Sequence, residues 1–125
     1  MLLDTSAFYY ARALRRIPRG DHVVIPAVAF TERARQLKRD HRASPATFHR
    51  SLTERGWKIE AFREEQALRA AYLAPSDEER WQDLARDVLV AAHVRADDIL
   101  VTANTGDFIE LGIPAAQLRD PSRVL

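Results

Sequence analysis

Residues 86–108 read RDVLVAAHVRADDILVTANTGDF, a span that runs from a helix through a strand to a sharp exit. At about 100° per residue, Leu84, Val90, Ala91 and Val94 share one stripe of a helix expected from about Asp77 to Arg95. After the polar RADD break, residues 99–103, ILVTA, make a continuous apolar run that reads as a strand buried on both faces, and ANTGDF is the turn that leaves it. A helix delivered onto a fully buried strand is half of a crossover unit, because parallel strands cannot be joined by tight hairpins. This span therefore predicts a parallel sheet.

Working outward, the same alternation recurs. Leu2, Leu3 and Asp4 read as a short buried strand, followed by a helix from Thr5 or Ser6 through YYARALRR to the break at Pro18 and Gly20. HVVIP from His22 is a second strand, and Pro26 suits the first turn of a helix reaching about Arg39. Ser44-Pro45 opens a third helix that stops at Gly56, WKIEAF from Trp57 alternates like a strand, and Glu64 to Leu73 is helical up to the Pro75 break. A last short strand includes Gln117 and Leu118. The expected fold is a three-layer α/β/α sandwich around a central, mainly parallel sheet of four to five strands, with residues 1–125 as one domain.

A chain of 125 residues supports one hydrophobic core without a staple, and it has no cysteine, which excludes disulfides, thiolate zinc sites and cysteine nucleophiles. No apolar run approaches a membrane span, and Met1 leads into LLDTS without the basic start of a signal peptide. A soluble, cytoplasmic protein with no membrane role is the expectation. The 19 basic and 18 acidic side chains nearly cancel, so net charge points to no partner class. Only Lys38 and Lys58 among the cations are lysines; the excess of arginine fits forked contacts with phosphates or carboxylates, and fits equally a G- and C-rich coding sequence.

The acids carry the chemistry. In open parallel sheets ligands collect beyond the carboxyl ends of the strands, and there Asp4 ends the first strand while Asp107 follows ILVTA. Asp87 falls on the sheet-facing stripe with Leu84 and Val90, where a lone ionised carboxylate costs several kcal/mol or takes up a proton unless a cation or hydrogen bonds compensate. Its other reading is a position near a helix end, open to water. Glu32 lies opposite the apolar stripe Ala27, Phe30, Ala34 and Leu37, so the helical wheel favours a solvated side chain. Asp107 heads a D-x-x-E pattern resembling a capping box, and Thr5 and Ser6 have the chemistry of helix caps.

Carboxylates gathered at one edge cannot all stay ionised without a cation, and oxygen-only ligands favour Mg²⁺ or Mn²⁺ over zinc. Such an ion orients and acidifies a water and neutralises charge on a phosphodiester, while hydroxyls such as Thr5 or Ser6 fix carboxylate rotamers. His22, His41, His49 and His93 lack paired ligand spacing. Nucleotide-binding glycine fingerprints and the G-x-S-x-G elbow are absent. A haloacid dehalogenase-like phosphatase wants a second acid where Ser6 stands, and a response-regulator receiver wants an aspartate where Ala61 and Phe62 stand.

LLDTSAF, FTERARQL, RDVLVAAHVRADDILVTANTGDF and the short tail together resemble a PIN domain, specifically the VapC-type toxin nucleases of toxin–antitoxin pairs. The resemblance spans nearly the whole chain and is strongest from Asp87 through Ala91 and Ala92 to VTANTGDF. It implies a magnesium-dependent endoribonuclease in which Asp4 and Asp87 are the principal metal ligands, Glu32 a further acid acting through water, and Asp107 the fourth. Asn104 stands where many PIN domains carry another aspartate, which leaves open whether one metal ion binds or two. The resemblance further implies a homodimer and a cognate antitoxin whose tail covers the acidic groove.

Arg12, Arg15, Arg16, Arg33, Arg35, Lys38 and Arg39 are candidates to carry the RNA backbone, or a solvated helix face. Phe8, Tyr9 and Tyr10 are candidates to stack on bases, or packing residues. Two other readings stand beside the nuclease: a catalytically inactive RNA- or protein-binding module of the same fold, and a metal-dependent phosphatase.

Overall fold

A computed structural model of the chain describes residues 1–18 and 20–124, the Val124 side chain excepted. Among these residues five strands form one sheet: β1 (Leu2–Leu3), β2 (Val24–Pro26), β3 (Lys58–Glu60), β4 (Leu100–Val101) and β5 (Leu118–Arg119), in the order β3-β2-β1-β4-β5. Every neighbouring pair is parallel, with Leu2 opposite Val24 and Leu100, and Ile25 opposite Ile59. The helices are α1 (Ala11–Arg15), α2 (Ala27–His41), α3 (Pro45–Glu54), α4 (Glu64–Leu73), α5 (Glu78–Ala91), α6 (Thr105–Glu110) and α7 (Pro121–Val124). They cover the sheet as the outer layers of the expected α/β/α sandwich. No helix among the described residues is long and apolar enough to cross a membrane.

The order of the strands places the site. From β1 the chain winds outward through β2 and β3 on one side, then returns to lay β4 and β5 on the other, so the winding reverses between β1 and β4. At such a reversal the flanking connections part, and a crevice opens beyond the carboxyl ends of the strands. Asp4 follows β1 directly and Thr102 follows β4, which puts both at that crevice. The sheet under them is dry: Leu3, Ile25, Leu100, Val101, Val88, Val90 and Phe108 are fully buried.

The first connection departs from expectation. Instead of one helix from Thr5 to Arg16, a 3-10 turn over Thr5–Tyr9 precedes α1, with Tyr10 at φ −111°, ψ 66° between them. The amides of Ala7 and Tyr10 donate three residues back, to the carbonyls of Asp4 (3.0 Å) and Ala7 (3.1 Å). That tighter winding buries Thr5, Ala7 and Phe8. Thr5 and Ser6 do not cap it; Asp4 holds the N-cap position without a side-chain cap bond.

Other boundaries shift by smaller steps. Helix α2 runs on to His41, and Arg42 closes it in the left-handed region at φ 52°. Helix α5 stops at Ala91 rather than Arg95, because residues 92–94 turn to bring His93 into the core. Strand β4 keeps only Leu100 and Val101 of ILVTA, and β5 comprises Leu118 and Arg119. The ANTGDF segment is more than a turn: Asn104 sits at the N-cap position of α6 and Asp107 lies in its first turn, so Asp107 does not start the helix.

Candidate active site

Asp4 is 4% exposed, and its carboxylate is held from one side. Oδ2 accepts the hydroxyls of Thr102 (2.8 Å) and Ser6 (3.1 Å). Those hydroxyls lie 3.2 Å apart and are fixed in turn by backbone: Ala103 N–H donates to Ser6 Oγ at 2.9 Å, and Asn104 N–H to Thr102 Oγ1 at 3.0 Å. Burial pushes the Asp4 pKa up, the Thr102, Thr5 backbone and Ser6 hydrogen bonds pull it back, and the Glu32 charge adds to the rise. Thr102 is the residue the sequence reading passed over, since a threonine at the end of ILVTA looks like an ordinary strand former. Its signal was position: it continues the strand beside β1 and so faces Asp4 across the ladder. Thr5 differs from expectation, because its buried hydroxyl has no hydrogen-bond partner among the described residues.

Asp87 is buried on α5 with Leu84, Val88, Val90 and Ala91, as its stripe predicts, and the water-exposed alternative does not hold. Its pKa is pushed up to about 6, first by burial and then by the charges of Asp4 and Asp107, with a carboxyl–carboxyl contact to Asp107 adding to the rise and Arg86 opposing it. Three acids remote in sequence therefore act on one another at the crevice. Glu32 joins them from α2 through its charge on Asp4. It is not the solvated side chain of the wheel: it is 17% exposed and ion-paired with Arg86 of α5. Helix α2 is covered on a second side by α5 and the 3-10 turn, which is why Ala29 and Glu32, off the apolar stripe, are both shielded.

A pocket of about 260 Å³ opens beside Asp4 and Glu32, with Asp87 and Asp107 outside its lining. Asp4, Thr5, Ser6 and Glu32 form its floor and side, and Tyr9, Gln36, Arg86 and Asn104 complete the lining. Among the described residues no three acid or histidine side chains converge tightly enough to make a ready metal cage. The donor set nonetheless suits a hard divalent ion: all oxygen, mutually repelling, with one uncommitted buried hydroxyl at Thr5, and magnesium takes one or two carboxylates with several waters rather than a closed cage.

The other candidates separate. Phe8 is buried and packs edge-on against Phe48, so it is a core residue, whereas Tyr9 is 62% exposed under the Arg33 guanidinium, 5.0 Å from its ring centre. Tyr10, Arg12 and Arg16 line a neighbouring hollow beside Pro121 and Ser122; Arg15 turns instead to one lined by Ile17 and Trp57. Arg35 and Lys38 are exposed, and Arg39 pairs with Asp40 at 2.7 Å. His93 is fully buried, its Nδ1 2.6 Å from Glu60, and His22, His41 and His49 are exposed.

No protein-family model matches the chain, and no curated protein matches it in sequence. Among solved structures, a chain of a toxin–antitoxin complex from Klebsiella pneumoniae is similar, with a TM-score of 0.69 at 21% identity over 98% of each chain. That likeness shows a shared fold over the full length of both chains.

Proposed function

We propose that this chain is a magnesium-dependent endoribonuclease of the PIN type, the toxin of a toxin–antitoxin pair. The observation that carries the reading is the Asp87 carboxylate, buried on the sheet-facing side of α5 and driven to about 6 against Asp4 and Asp107 at the strand reversal. Acids kept in such mutual repulsion are maintained for chemistry rather than stability. In this reading Asp4 and Asp87 hold the ion directly, Glu32 through water, and Asp107 completes the acid set. When bound, Mg²⁺ or Mn²⁺ supplies an acidified water and neutralises charge on the phosphodiester under attack. Ser6 and Thr102 both donate to Oδ2 and so fix the rotamer of the Asp4 carboxylate at the pocket. The full-length likeness to a chain of a toxin–antitoxin complex supports an antitoxin partner; that the partner covers this pocket, and that the chain forms a homodimer, belong to the same proposal.

The test is cleavage of single-stranded and structured RNA by the purified chain with Mg²⁺, Mn²⁺ or chelator. Metal-dependent cleavage that Asp4→Asn and Asp87→Asn abolish, with circular dichroism unchanged, is expected. Full activity of either variant would remove the assigned roles. A second reading, an inactive RNA-binding module of the same fold, draws on the open spacing of the acids and on Asn104; tight RNA binding with no turnover in any divalent ion would select it.

A further inference from the structure

Arg86 precedes Asp87 on α5, so its side chain leaves the helix a quarter-turn or so from the buried stripe and stands 60% exposed at the pocket mouth. It reaches across to α2 and donates Nη1 to Glu32 Oε2. It is the sole cation among the residues lining that pocket, which otherwise offers carboxylates, hydroxyls, amides and the Tyr9 ring. A guanidinium carries several N–H donors in a planar fork, and only one of them is engaged among the described residues. The arrangement is self-neutralising: Glu32, which shares the pocket lining with Asp4, is held by the one base in that lining, while Arg33 stands behind it on Tyr9 and Gln36.

We infer that Arg86 is the phosphate-binding side chain of this site, parked on Glu32 in the free protein and handed to an RNA phosphodiester when a divalent ion draws Glu32 away. This rests on the nuclease reading above. The exchange breaks one ion pair and makes two, Glu32 with the hydrated cation and Arg86 with the phosphate, and no bond or proton is transferred. A phosphodiester entering an acid-lined pocket meets repulsion that a forked, weakly hydrated cation relieves better than a lysine does. Tyr9 at the same pocket is 62% exposed with Arg33 over one face of its ring, a cation-backed aromatic beside which an adjoining base can pack, which favours a nucleic acid over a small phosphate.

Arg86→Gln, Arg86→Lys, Glu32→Gln and the Arg86→Gln/Glu32→Gln double variant separate the two halves of the exchange, with thermal melts confirming that each is folded. Without RNA, Arg86→Gln frees Glu32 and removes a nearby positive charge, so Mn²⁺ titration calorimetry should show binding about fivefold tighter than wild type. The gain should vanish in the double variant. With a 2′-O-methylated RNA that resists cleavage, and Mn²⁺ saturating, Arg86→Gln should bind about tenfold more weakly. Its log affinity against log salt should flatten by about 0.7, the signature of one lost phosphate contact on a single strand. Arg86→Lys should recover the slope and part of the affinity. Unchanged RNA affinity and slope in Arg86→Gln, or weaker Mn²⁺ binding, would overturn the inference while wild-type cleavage left the nuclease reading intact. A wild type that neither takes up Mn²⁺ nor cleaves RNA would overturn both.

Discussion

Asp87 is where local stability and function pull in opposite directions. A carboxyl held near 6 in the folded chain and near 3.8 in the unfolded one keeps its proton in the folded state alone between those values. The folded state therefore loses stability as pH rises through that window, and above 6 it carries a buried, repelled charge. Taken at face value the shift is worth roughly 3 kcal/mol, and relaxation and partial solvation around the carboxylate reduce it to about 1–2 kcal/mol. In chelator, Asp87→Asn should thus be about 1–2 kcal/mol more stable than wild type at pH 7.5, with the gap closing toward pH 4. Urea melts across that range measure it; a variant less stable than wild type at pH 7.5 would show that the carboxylate is compensated. Asp87 was legible in the sequence because an acid on an apolar helical stripe contradicts its surroundings. Glu32 was not, since a wheel shows one covered face and α2 has two. Thr102 was invisible because a buried strand tolerates threonine without any chemistry.

At the scale of elements, α5 couples a disposable end to an indispensable one. Its cap is Asp77, whose carboxylate accepts the Arg80 amide at 2.9 Å, and Glu78 and Glu79 favour the positive end of the helix. Arg80 also pairs with Glu110, tying that first turn to α6, the helix that carries Asp107. The buried residues all lie further on, from Leu84 to Ala91. Asp77→Ala should therefore cost about 1 kcal/mol by urea denaturation and fray the first turn in amide exchange, while RNA cleavage stays at the wild-type level. A comparable loss of cleavage would mean that the cap also sets the position of Asp87. The elements were legible for a related reason: strand and helix identities follow from periodicity and breakers, whereas their ends follow from contacts. The 3-10 turn after Asp4 is fixed by the need to bury Ala7 and Phe8 beneath a crevice, and α5 stops early because His93 has a partner on β3. Neither constraint is local in sequence.

Across the whole molecule, partly or wholly buried acids with opposite shifts shape the pH dependence of stability. Glu60 ends the edge strand β3 and gathers three elements. Its Oε1 meets His93 Nδ1 at 2.6 Å, Oε2 accepts Arg95 at 3.3 Å, and Gln66 of α4 donates at 3.4 Å. Burial pushes its pKa up, but the His93 and Arg95 hydrogen bonds outweigh that and hold it below 4.5. Its contribution is therefore present above 4.5 and is lost as pH falls through the lower, folded value. Asp87, and with it Asp4, runs the other way, giving up stability as pH rises. Without a divalent ion, stability should peak at or just below about pH 4.5, fall toward pH 6 and stay low at neutrality, and added Mg²⁺ should lift the neutral side of the curve. Glu60→Gln should cost about 1 kcal/mol at pH 7, with the loss shrinking below pH 4 as the wild-type carboxylate takes up its own proton. Chemical denaturation from pH 3 to 8, in chelator and then in Mg²⁺, reads all of these slopes. A curve still rising from pH 6 to 8 in chelator would contradict the strained acids at the strand reversal.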